Sequence, residues 1–158
     1  MTSSIVILTE VALSADDAVR LVGLHADERP AYTVLVSENA HRGLLAEVLD
    51  RLSLLELREA VDAVRHRDDF TVEDAAAALE ASLTALRNAG AAAEGQVVSD
   101  DPITALEGAV AAHDADEVHI VTVPHAVEDT LHTDWGTKAR ERLGVPVLHV
   151  YAGSSWTN

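Results

Sequence analysis

Cysteine is absent from this chain of 158 residues. Disulfides, thiolate catalysis and cysteine-ligated zinc are thereby excluded. Aromatic residues make up only 3% of the sequence. The core must therefore be aliphatic, with close helix–sheet contact in place of ring clusters. Positive charge is scarce: 11 basic residues face 27 acidic ones, the formal net charge is −16, and Lys138 is the one lysine. Nucleic acids and anionic membranes both recruit proteins through positive patches, so neither is an expected partner. No apolar run approaches the roughly 18 residues of a membrane helix. The opening segment lacks the basic stretch and long apolar run of a signal peptide, so a cytoplasmic location is expected. Glycine is missing between Gly108 and Gly136.

What is present is 48% apolar and patterned. Ile5-Val-Ile-Leu8 is short, apolar and β-branched, as a central parallel strand should be. Ser14 stands before Ala-Asp-Asp17 as a helix cap, and that helix is expected to reach about Leu24. Asp27 to Pro30 reads as a turn, and Tyr32 to Val36 as a second strand. Thr71 should cap a helix from Val72 to about Ala89, ended by Gly90, with Leu79, Leu83 and Leu86 as its buried stripe. Glu94 to Ser99 is a modest strand. Pro102 occupies a first helical turn behind an aspartate cap, and Ile103, Leu106 and Val110 give that helix its apolar face. Val118 to Val123 is a buried strand. Thr133 or Asp134 should cap a helix through Leu143, closed by Gly144, and Val145 to Val150 is the last strand. Strands alternating with helices imply an α/β fold with a parallel sheet covered on both faces. One domain over 1–158 is expected, with a leucine-rich helical insert at about 38–70 that holds Arg42, Arg51, Arg58, Arg65 and Arg67. The insert either packs on its own domain or meets a protein partner.

The order of pieces resembles the universal stress protein family. The residues that carry the resemblance are Leu-Arg-Asn-Ala-Gly90, Val-Val-Ser-Asp-Asp-Pro102, His113-Asp-Ala-Asp116, Val118-His-Ile-Val-Thr-Val123 and Gly144-Val-Pro-Val-Leu-His-Val150. The resemblance implies a five-stranded, flavodoxin-like sheet of order 3-2-1-4-5. It also implies a homodimer joined through the last strand, at about 145–151. Many members bind ATP with a loop after the fourth strand: Gly, two residues, Gly, nine residues, then Gly-Ser or Gly-Thr. Only the late pair has a counterpart here, Gly136-Thr137, and the early glycine positions fall between Val123 and Val127. Where the family tends to carry an aspartate beside the adenosine, this chain reads Leu8-Thr9-Glu10-Val11.

A phosphate cradle needs flexible backbone and free N–H groups. The segment after the fourth strand instead begins Pro124-His125-Ala126-Val127-Glu128-Asp129. A like-charge contact at ~4 Å costs on the order of 4 kcal/mol at an effective dielectric near 20. Backbone hydrogen bonds at about 1 kcal/mol each do not offset that. No ATP cofactor is therefore expected. Should a nucleotide bind, the candidates are Thr9, Glu10, Gly136, Thr137 and Lys138, the last three forming a residual anion site at a helix N-terminus. His125, His132 and Asp134 are the weaker candidates for a metal. His119 and His149, on adjacent strands, could form a pH-sensitive pair or serve as ordinary structural residues. Trp135 is expected to pack the helix start against the sheet. No Ser–His–Asp order, Gly-x-Ser-x-Gly elbow or early Gly-x-Gly-x-x-Gly occurs, so the leading expectation is a non-catalytic module acting by association. An adenine-nucleotide sensor and, more weakly, a metal-dependent hydrolase are the alternatives.

Overall fold

The computed structural model describes residues 2–38, 72–98, 101–122 and 140–153. Five strands lie in one sheet: β1 (Ser4–Thr9), β2 (Ala31–Ser37), β3 (Ala92–Val98), β4 (Glu117–Thr122) and β5 (Val147–Tyr151). Their order is β3-β2-β1-β4-β5, and every neighbouring pair is parallel. This is the 3-2-1-4-5 order expected from the sequence. Among the described residues, three helices cross between strands: α1 (Ala15–Gly23), α2 (Val72–Asn88) and α3 (Pro102–His113). Residues 140–143 are also helical.

β1 and β4 sit inside the sheet, so their side chains are buried on both faces. Period-two alternation divides these residues between two cores. Ile5 and Ile7 join Leu13, Leu21, Val34 and Leu86 beneath α1 and α2. Val6 and Leu8 join Leu35, Ile103, Leu106 and Ile120 beneath α3. Leu143, just before β5, packs on the α3 side, and Arg142 reaches Glu107 of α3 at 2.7 Å. That pair is exposed and contributes at most about 1 kcal/mol.

The helix signals at Ser14, Gly90, Pro102 and Gly144 act as expected, while the caps expected at Thr71 and at Thr133 or Asp134 lie outside the described residues. Ser14 and Asp17 form a reciprocal capping box at the start of α1. Asp101 caps α3 by accepting from the Ile103 N–H, with Pro102 in the first turn. Gly90 and Gly144 both take positive φ after helices, the left-handed conformation that glycine adopts without strain.

Strand limits differ by a residue or two from the sequence reading. β3 begins at Ala92, and β5 begins at Val147 where Val145 was expected. Pro146 has no N–H to give to the ladder, so it contributes only its carbonyl, which accepts from Val118. β4 begins at Glu117, one residue early, because β1 already pairs there through Ile5. The leucine-rich stretch from residue 39 to 70, Thr71, Val123 and Trp135 lie outside the described residues.

Candidate functional site

In open parallel sheets, ligands bind beyond the carboxyl ends of the strands, where the strand order reverses. Here that place lies between β1 and β4. Thr9 is fully buried, and its hydroxyl donates to the Val11 carbonyl at 2.7 Å while accepting from the Val11 N–H at 3.3 Å. Glu10 is buried too, and its N–H donates to the Val121 carbonyl at 3.3 Å. The two strand ends are thus stitched together by backbone. Of the five nucleotide candidates, Thr9 and Glu10 stand at this switch point. Gly136, Thr137 and Lys138 lie outside the described residues, as do His125, His132 and Asp134.

The loop from β1 into α1 is held on two sides. The Leu13 N–H donates to Ser82 Oγ of α2 at 3.0 Å, and Ser82 donates onward to the Ala78 carbonyl at 2.7 Å. On the other side Asp17, nearly buried, accepts from Gly153 N–H at 2.9 Å, from Ser14 N–H at 3.1 Å and from Ser14 Oγ at 2.8 Å. It also pairs with Arg20 at 2.5 Å. Burial alone would push this carboxyl up. The hydrogen bonds from Gly153 and Ser14, with the Arg20 charge, outweigh it and hold Asp17 below the usual carboxylate range.

His119 and His149 do not form a pair. The ladder matches His119 with Leu148 and Ile120 with His149, so the two imidazoles project from opposite faces of the sheet. On the α3 face, His149 Nε2 lies 2.8 Å from Thr122 Oγ1, and its ring meets Tyr151 edge-on at 4.7 Å. On the α1 face, His119 is completely buried, and neither ring nitrogen has a hydrogen-bond partner.

A second constellation surrounds His119, toward the amino ends of the strands. Glu117 opens β4 and shares the face of His119, since the two are separated by one residue of extended chain. Its Oε1 lies 3.4 Å from His119 Nε2. His25 follows the C-cap of α1 and swings over the same face. Its Nε2 lies 3.2 Å from Glu117 Oε2, and its ring stacks on that of His119 with centroids 5.5 Å apart. Burial, reinforced by the neighbouring His25, pushes the His119 imidazole down to about 4, so it is neutral at physiological pH. Tyr32, on the same face, is pushed up to about 12 by burial and by the Glu117 charge.

Sequence reading missed this cluster. The available signal was Glu117-x-His119, two polar residues at period two inside an otherwise apolar strand. His25 gave no local sign, because only the tertiary fold brings the end of α1 over β4.

A third feature is a cleft of about 720 Å³ between α1 and β5, lined by Val19, Arg20, Leu24, Val150 and Gly153 among others. Val19 is 60% exposed and Leu24 55%, the large hydrophobic side chains most open to solvent among the described residues.

No protein-family model matches the sequence, and no curated protein does either. Solved structures do match. A universal stress protein from Archaeoglobus fulgidus superposes with a TM-score of 0.55 at 13% identity, covering 94% of each chain. A universal stress protein in complex with cAMP gives 0.56 at 15% identity, covering 96% of this chain and 98% of the other. A member of the family from Arabidopsis thaliana with AMP bound gives 0.51 at 10% identity, covering 96% and 93%. At such identities the likeness is one of architecture: this chain has the fold of the universal stress proteins.

Proposed function

We propose that this chain is a divergent universal stress protein that works by association, as a cytoplasmic homodimer joined through its last strand, and not by catalytic turnover. The observation that carries this reading is the outer edge of β5. β5 ends the sheet, and among the described residues no strand pairs with its far side. The end of a sheet is where a second copy's strand can add to it by backbone pairing. The flanking cleft, with Val19 and Leu24 at its rim, supplies the apolar surface that such pairing would cover. A second copy is the occupant that best fits, since a two-fold axis at β5 would continue the sheet and bring the two clefts together. With −16 on each chain, attraction between copies must come from backbone and apolar contact, because the net electrostatic term opposes it.

The test is sedimentation velocity over a range of concentrations. The untagged chain should dimerise, and Val19→Glu combined with Leu24→Glu should weaken the dimer at least tenfold. Both side chains are exposed, so thermal stability should stay within about 0.5 kcal/mol of the parent. A strictly monomeric parent, or a double variant with unchanged dissociation constant, would reject the reading.

An adenine-nucleotide sensor is the second reading. It draws support from the cAMP and AMP complexes among proteins of the same fold. It would use Thr9 and Glu10 at the switch point with Gly136, Thr137 and Lys138. Against it stand the missing early glycines and the carboxylates of Glu128 and Asp129. Calorimetric titration with Mg-ATP and with AMP separates the two. The first reading expects no heat at millimolar nucleotide; saturable binding would favour the second.

A further inference from the structure

We propose that His25, Glu117 and His119 form a binding site for one divalent transition-metal ion of the zinc class, at the end of the sheet opposite the ligand-binding loops. The three residues each offer one ligand atom, and these atoms lie within 4.8 Å of one another. In a tetrahedral zinc site with bonds of about 2.0–2.1 Å, neighbouring ligand atoms stand roughly 3.3 Å apart. Glu117 stands between the two imidazoles, its Oε2 3.2 Å from His25 Nε2 and its Oε1 3.4 Å from His119 Nε2. Side-chain rotations that draw the three ligand atoms, already within 4.8 Å, to that spacing would close the set on an ion.

His119 supplies the independent reason to expect an ion. Its ring is sealed in the core, yet both nitrogens lack a hydrogen-bond partner. A buried polar atom left unsatisfied costs about 1–3 kcal/mol, and the fold would remove that cost simply by placing a hydrophobic residue there. A neutral imidazole without a hydrogen-bond partner, 3.4 Å from a carboxylate and stacked beside a second imidazole, keeps a lone pair that a turn of the ring would offer to an ion. Two nitrogen donors and one carboxylate select zinc and its neighbours in the transition series over magnesium or calcium, which prefer oxygen alone.

The surroundings agree. α1 ends immediately before His25, so the negative end of its dipole faces the site and favours a cation. The His25 and Glu117 side chains keep 17% and 24% of their surface exposed, which leaves a path for entry. Three protein ligands leave a fourth position for water or a small anion. Bound metal would clamp the α1–β2 turn onto the first residues of β4, joining segments that the chain separates widely. This site is distinct from His125, His132 and Asp134, which follow β4.

The experiment uses the full chain without a histidine tag, stripped with EDTA and dialysed free of chelator. Calorimetric titration with zinc chloride should show a tight site with a stoichiometry of one. His25→Ala and Glu117→Gln should each weaken that site at least tenfold, whereas His113→Ala should leave it unchanged. Cobalt(II) in its place should give the intense visible absorption of low-coordinate geometry, lost in the same two variants. Zinc at a hundred times its dissociation constant should raise the melting temperature by roughly 5–10 °C, and magnesium should not. Both variants change partly exposed side chains, so they avoid the folding risk of altering His119. Absence of zinc binding by the parent chain overturns the proposal. So does zinc binding that both variants retain at parental affinity, because the ion would then sit on other histidines.

Discussion

A single buried imidazole has a measurable consequence for stability. His119 lies against His25 and Glu117, and its folded value is near 4 against an ordinary 6.5. The unfolded chain therefore binds a proton near 6.5 that the folded chain refuses until about 4. Its stabilising contribution is complete above the unfolded value and is lost as pH falls toward the folded one. In metal-free protein the loss should amount to about 3 kcal/mol, since each pKa unit is worth about 1.4 kcal/mol. Urea denaturation at pH 7 and near pH 4 should show His119→Leu losing less stability over this interval than the parent; equal losses would contradict the assignment. Asp17 is a second residue with reach. Asp17→Ala removes the acceptor for Ser14 and for Gly153 and should cost about 1–2 kcal/mol by calorimetry. Half of its role was legible in the sequence. Ser14 before Ala-Asp-Asp17 reads as a capped helix start, because capping is local. The Gly153 contact spans 136 positions, and no local pattern announces it.

At the level of elements, β2 and β3 approach closely at Gly95. A Cβ placed on Gly95 would run into the Val34 carbonyl oxygen and come within 2.9 Å of Leu79 Cδ1. Neither the backbone of a paired strand nor a side chain wedged beneath α2 moves freely. Gly95→Ala should therefore destabilise the fold by about 1–3 kcal/mol, as overpacking does, and thermal melts would register it. A neutral result would mean that β3 can lift away from α2. The same strand explains a weakness of sequence reading. β3 is an edge strand whose residues are mostly exposed, so its apolar pattern is faint and its start at Ala92 was read two residues late. β1, β2 and β4, buried on both faces, announced themselves as continuous apolar runs. The pairing of His119 with His149 failed for another reason. Adjacent strands were anticipated, but the face each side chain takes depends on register, which the ladder alone fixes.

For the molecule as a whole, charge would govern how two copies meet in the proposed dimer. Each chain carries −16, so two copies repel over a distance set by the ionic atmosphere, about 30 Å at 0.01 M salt and about 3 Å at 1 M. Raising sodium chloride from 10 mM to 0.5 M should tighten self-association roughly tenfold, read by sedimentation equilibrium. A dimer that loosens with salt would point to an interface built on ion pairs. The global strand order was within reach of sequence, because alternating strands and helices leave few parallel topologies. The cluster of His25, Glu117 and His119 was not, since it exists only once α1 has been laid across β4.

Two carboxylates fasten the margins of this sheet. Asp116 accepts from Ser3 Oγ and Ser4 N–H, and Asp17 accepts from Gly153 N–H. Hydrogen bonds hold both below the ordinary aspartate range. Acid strong enough to neutralise them would unlatch the front and rear of the described chain together. Milder acid reaches the centre first, because buried His119 gives up its contribution by about pH 4 while both latches still hold. The residues just behind the outermost strand, where a second copy would attach, would lose their tie only in that stronger acid.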